Sequence, residues 1–176
     1  YRNASVGGNI VQAGGLLGLN TDSDVTNAFT EGNVLAHLNH DGQSGNTQIK
    51  VHTGGLIATN KNSKLNQVHT LGKVGNQVDL IAPASLGMSG PTRFVGGLVG
   101  ENQNSAISNA YAAGNISHSI DLDIRNLYIT AADYIGGLIG NNKASEIQDS
   151  KASGHLDITN NLIVSSAGGK TDIYAG

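Results

Sequence analysis

The sequence predicts an all-β fold, a β-solenoid (β-helix) of stacked 40-residue repeats, and three observations carry that prediction. A Gly-Gly-Leu motif returns at near-constant spacing, the residues after it repeat in register, and the composition suits a thin core. The copies are Gly14-Gly15-Leu16-Leu17-Gly18, Gly54-Gly55-Leu56-Ile57-Ala58, Gly96-Gly97-Leu98-Val99-Gly100 and Gly136-Gly137-Leu138-Ile139-Gly140, at intervals of 40, 42 and 40 residues. Self-similarity at such a period marks a repeat architecture, in which each unit buries its apolar face only against its neighbours.

Composition agrees. The 176 residues include 25 glycines and 20 asparagines, no Trp, and only 4% aromatics, so a thick globular core would be hard to fill. Small aliphatics are plentiful enough for a narrow stacked core and too plentiful for disorder. Cysteine is absent, so repetition rather than disulfide bonding must supply stability. The net charge of −3 is scattered, without the basic stripe that nucleic acid requires. No apolar run approaches the ~20 residues of a membrane-spanning helix, so no membrane insertion is expected.

Within each copy the elements follow in order. The paired glycines, Gly14, Gly54, Gly96 and Gly136 with their successors, fit a sharp corner or a close approach of neighbouring backbones. Six residues on stands Asn20, Asn60, Asn102 or Asn142. Stacked in register, these amides can form a ladder, each donating to the next carbonyl. They also suit corners, because Asn tolerates left-handed backbone geometry. Eleven residues past the first glycine lies an aliphatic (Val25, Leu65, Ile107, Ile147), and thirteen past it a polar carbonyl-bearing side chain (Asn27, Gln67, Asn109, Asp149). Eighteen past it is always glycine (Gly32, Gly72, Gly114, Gly154), and two further on an aliphatic (Val34, Val74, Ile116, Leu156). From Ala110 to Ile116 alternate residues are small or apolar, the period of a strand with one buried face. Leu16, Leu56, Leu98 and Leu138 are expected in the core.

The remaining half of each copy is variable. Twenty residues separate Ile116 from Gly136, but only four separate Ile10 from Gly14. A minimal turn of 24 residues with an optional 16-residue excursion explains both, the excursion running out and back as two strands. The alternative is two coils of 20 residues per repeat. The chain divides into 1–13, the tail of a preceding copy, and repeats at 14–53, 54–95, 96–135 and 136–175. It reads as part of a longer protein, because Asn3 to Ile10 matches Asn109 to Ile116 and Gly176 stands where a fifth copy would begin.

The string Phe94-Val95-Gly96-Gly97-Leu98-Val99-Gly100-Glu101-Asn102, followed by Ile107-Ser108-Asn109-Ala110-Tyr111-Ala112-Ala113-Gly114-Asn115-Ile116, closely resembles the GLUG motif. That motif occurs in bacterial immunoglobulin A peptidases and in large surface exoproteins, including filamentous-haemagglutinin-like adhesins. The second copy departs most, with Ala58 for the final glycine and His69 where Phe29 or Tyr111 stands; the fourth has Lys151 there. The resemblance implies a structural or adhesive rod segment of a secreted, surface-attached bacterial protein. Its implied partners are a glycan or protein on a host or neighbouring cell, besides adjacent repeats. A non-catalytic stalk of a secreted peptidase is the alternative. Richness in Asn, Ser and Gly with few lysines favours a Gram-negative source.

Catalytic chemistry finds little purchase. A carbohydrate-active β-helix would need carboxylates a few ångströms apart, often beside a base. Asp79, Asp121 and Asp123, with Arg125, are the best set: Asp79 and Asp121 lie five residues past Val74 and Ile116, one strand spacing apart if the copies stack. They are weak candidates for a cation site, and a solvated strand face explains them. Six histidines occupy unrelated positions, and no HExxH, P-loop, GxSxG or calcium nonapeptide is present. No enzyme activity and no cofactor are expected. The outward column Phe29, His69, Tyr111 and Lys151 is a possible surface contact for sugars.

Overall fold

The computed structural model describes residues 10–40, 49–82, 91–124, 130–164 and 170–176. Every described element is a strand, and the strands form five parallel sheets of four or five members. Pairing runs from each residue to its counterpart one repeat on, as in Gly14 with Gly54, Gly54 with Gly96, and Gly96 with Gly136. One repeat is therefore one coil, and the two-coil alternative is excluded.

The third coil shows the plan. A strand Thr92–Gly96 ends at the glycine pair, and Val99–Gln103 follows the corner. Two short strands, Ala106–Ser108 and Tyr111–Ala112, complete a compact head. The long strand Ile116–Ile124 then runs out, and Thr130–Gly136 runs back to open the fourth coil. The excursion is thus the expected pair of strands, each stacked on its equivalents above and below.

Three core clusters result, one of them Val74, Val95, Ile116 and Ile135, where the long strands begin and the returning strands end. The head is filled by Leu56, Leu98, Ile57, Val99, Leu65 and Ile107, with small Ala110 and Ala112 on the narrow side. In the limb, Val11, Val51, Ala36, Leu38, Val78 and Ile120 pack between the outgoing and returning sheets. From Ala110 to Ile116 the even-numbered residues are buried, in the predicted alternation. Of the four core leucines, Leu56 and Leu98 are buried and Leu138 partly so. Leu16 is 47% exposed, a correction to expectation, because it lies in the first coil of the described stack.

The corners divide their work between two residue columns. Asp22, Asn62, Asn104 and Ala144, eight residues past the first glycine, adopt left-handed φ of 48–52°. Asn27, Gln67, Asn109 and Asp149 do the same at 48–54°. Asn20, Asn60, Asn102 and Asn142 are absent from this left-handed set and form the ladder: the Nδ2 of the first three donates to the next Oδ1, at 2.8, 2.9 and 2.9 Å, and Asn20 and Asn142 also donate to the corner carbonyls of Ser23 and Ser145. Beside it runs a serine ladder, in which Ser23 N, Ser63 N and Ser105 N donate to the hydroxyl of the next copy's serine at 3.1, 3.1 and 3.0 Å.

Candidate binding surface

The short strand after the second left-handed corner carries an outward column. Backbone pairing places Phe29 beside His69, His69 beside Tyr111, and Tyr111 beside Lys151. The Phe29 and His69 rings stack with centroids 5.2 Å apart and planes 8° from parallel. Lys151 Nζ sits 5.0 Å from the Tyr111 ring centroid, a cation–π distance. The Tyr111 hydroxyl lies 2.8 Å from Ser153 Oγ. Alongside runs the left-handed column of Asn27, Gln67 and Asn109, and between the two columns lies a groove of about 570 Å³. Val68, the His69 and Tyr111 rings and the side chains of Asn27, Gln67 and Asn109 line it, so two rings form one wall and amides the other.

The aspartates separate differently. Asp79 and Asp121 are paired in register on the long-strand sheet, whereas Asp123 pairs with Ile81 and is offset from both. Asp79 Oδ2 lies 2.7 Å from His37 Nε2, and Gln77 Nε2 donates to the same carboxylate at 3.2 Å. Asp121 is exposed and pairs on its other side with Asn161. The Asp123 side chain and Arg125 lie outside the described residues. Among the described residues no three His, Asp or Glu side chains converge as metal ligands would.

Two further clusters were not anticipated. Two residues before each first glycine stand Gln12, His52, Phe94, Tyr134 and Tyr174. Their rings form a continuous column, with His52 edge-on to Phe94 at 5.0 Å, Phe94 to Tyr134 at 5.2 Å, and Tyr134 stacked on Tyr174 at 5.0 Å. His52 Nδ1 contacts Thr59 Oγ1 at 2.7 Å and Glu101 Oε2 at 3.3 Å. Burial lowers the His52 pKa below its ordinary value; the Glu101 charge opposes that shift and Lys50 reinforces it.

The second cluster lies inside the limb, where Arg93, Asp133 and His118 are all buried. Arg93 Nη2 donates to Asp133 Oδ2 at 2.7 Å, and Arg93 Nε contacts Oδ1 of the same carboxylate. His118 Nε2 lies 3.4 Å from Asp133 Oδ2. Desolvation lowers the Arg93 pKa, against the favourable charge of Asp133. A register signal for this pair existed: Arg93 and Asp133 stand three residues before their glycine pair, where Val11 and Val51 also stand.

The described residues thus define a parallel β-solenoid with one repeat per coil. Residues 95–117 match the family model described as Glug, the GLUG motif. No curated protein and no solved structure matches the chain. The matched stretch spans the glycine corner and the Tyr111 strand of the third coil, and the other three coils repeat its architecture. Fold and motif together fit a repeat segment of a surface protein.

Proposed function

We propose that the chain is a structural and adhesive segment of a large secreted bacterial protein at the cell surface, Gram-negative by composition, and that it works without catalysis or cofactor. The observation that carries this reading is the pairing of each residue with its counterpart one whole repeat away. A coil of some 40 residues then advances by a single strand spacing, about 4.8 Å. The same 40 residues as a helix would reach about 60 Å. Such a fold is a poor way to gain length and a good way to gain surface, since every coil adds another rung to several ordered side-chain columns. That comparison favours an adhesive face over the spacer of a secreted peptidase.

The test is adhesion under flow. Beads coated with the chain should be retained on epithelial or bacterial cell layers more strongly than beads coated with albumin. No retention on any surface, with the coat still folded by circular dichroism, would leave the spacer reading.

A further inference from the structure

The groove beside Phe29, His69 and Tyr111 matches the chemistry of one kind of ligand. A pyranose ring presents an apolar C–H face and a rim of hydroxyls that both donate and accept hydrogen bonds. The first needs an aromatic face, whose negative quadrupole attracts C–H edges. The second needs side chains with donors and acceptors on one group, a property amides share with hydroxyls and neutral imidazole. We propose that this groove binds an oligosaccharide lying along the solenoid axis, its sugar faces against the His69 and Tyr111 rings and its hydroxyls on Asn27, Gln67 and Asn109. The inference rests on the adhesive reading above and names its partner.

Several observations select this groove. Its volume of about 570 Å³ falls within the usual range of small-ligand sites. Among the described residues the side-chain amides of Asn27 and Gln67 make no hydrogen bond, and Asn109 uses only its Nδ2, on Asn66 Oδ1 at 3.0 Å. Lys151 covers one face of Tyr111 and leaves the other to the groove, because it belongs to the coil beyond. In the second aromatic column Phe94 is buried and Tyr134 is packed between Phe94 and Tyr174; Tyr174 alone is exposed, and no side-chain amide lines the groove beside it.

Rigidity adds to the case. Left-handed corners fix the backbone that carries the amides, and parallel pairing fixes the strand that carries the rings, so the spacing of both walls is set before binding. No acidic residue lines the groove, so neutral sugars are admitted, and in the coil beyond it Lys151 and Asp149 stand two residues apart and offset each other in charge. Nucleic acid is disfavoured by the net charge of −3 and by the lack of further basic residues along the column.

Saturation-transfer NMR on the whole chain, with chitotriose, maltotriose and 3′-sialyllactose as probes, tests the assignment. At least one probe should receive saturation on its ring protons. The double variant His69→Ala/Tyr111→Ala should weaken that binding about tenfold, the scale of a lost aromatic contact. Gln67→Ala, an exposed amide whose loss leaves the core untouched, should weaken it too and guards against a misfolded double variant. No transfer to any probe, or transfer unchanged in both variants, would overturn the proposal. The cell-adhesion assay separates the two readings. Beads bearing the double variant that adhere as well as the parent keep the adhesive role and remove the glycan groove. Beads that adhere nowhere, although a trisaccharide binds, remove the adhesive role alone.

Discussion

At the scale of single residues, the same amide does different work according to its position in the coil. Asn62 and Asn104 turn corners with positive φ, while Asn60 and Asn102 are buried and hold coils together through their side chains. Removing Asn102 would strand the Nδ2 of fully buried Asn60, and an unsatisfied buried donor costs about 1–3 kcal/mol. Asn102→Ala should therefore destabilise the chain by about 2–3 kcal/mol in urea unfolding. Asn142→Ala, at the exposed end of the ladder where water can replace the lost acceptor, should cost under about 1 kcal/mol. Equal losses at the two positions would show that the ladder contributes nothing special. His52 gives a second residue-scale expectation. Its folded pKa is depressed below 6.5, so the unfolded chain takes up the proton first as pH falls. The stability it contributes is present above that value and is lost as pH drops through it. The urea midpoint should fall from about pH 7.5 to about pH 5.5, and His52→Phe, which extends the ring column, should flatten that slope. A parallel decline in both proteins would remove His52 as the cause.

At the scale of elements, the glycine pair is a steric device. A Cβ on Gly96 would strike the carbonyl of Val99 within its own corner, and one on Gly97 would strike the carbonyl of Gly137 in the coil above. The first glycine permits the sharp turn and the second permits the stacking distance. Gly97→Ala must force two coils apart and should cost about 3 kcal/mol, at the upper end of overpacking penalties. A melting curve for Gly97→Ala that overlays the parent's would contradict this account. Elements of this kind were legible in the sequence because register repeats: the glycine, asparagine and aliphatic columns each recur at fixed offsets and stack as the offsets require. What escaped notice was whatever broke the chemical type within a column. Arg93 and Asp133 occupy an inward position held by Val11 and Val51, but charges read as solvated unless their offset is followed. The ring column was hidden likewise, since Gln12 and His52 interrupt it before Phe94. The groove wall at His69 and Tyr111 was legible; the amides facing it showed only as a recurring polar column, with nothing in their spacing to place them opposite the rings.

At the scale of the whole molecule, stability is one-dimensional. Each coil contacts only the coils above and below, so burial depends on position in the stack more than on residue type. Leu98 and Leu16 occupy equivalent positions, yet the first is wholly buried and the second 47% exposed. The same substitution should therefore have opposite consequences at the two sites. Leu98→Asp places an unpaired carboxylate between the second and fourth coils, a penalty of several kcal/mol in a domain whose total stability is about 5–15 kcal/mol. The third coil would open and divide the stack, so the single thermal transition should be lost or replaced by a broad, non-cooperative one. Hydrogen exchange should then show protection lost first along Thr92–Gly96 and Val99–Gln103, with the neighbouring coils following. Leu16→Asp leaves its carboxylate in contact with water and disturbs one coil from outside, so it should cost no more than about 1 kcal/mol and preserve the sharp transition. If both variants melt alike, burial does not follow position along the axis, and the coils are not coupled in the nearest-neighbour way that the parallel register requires.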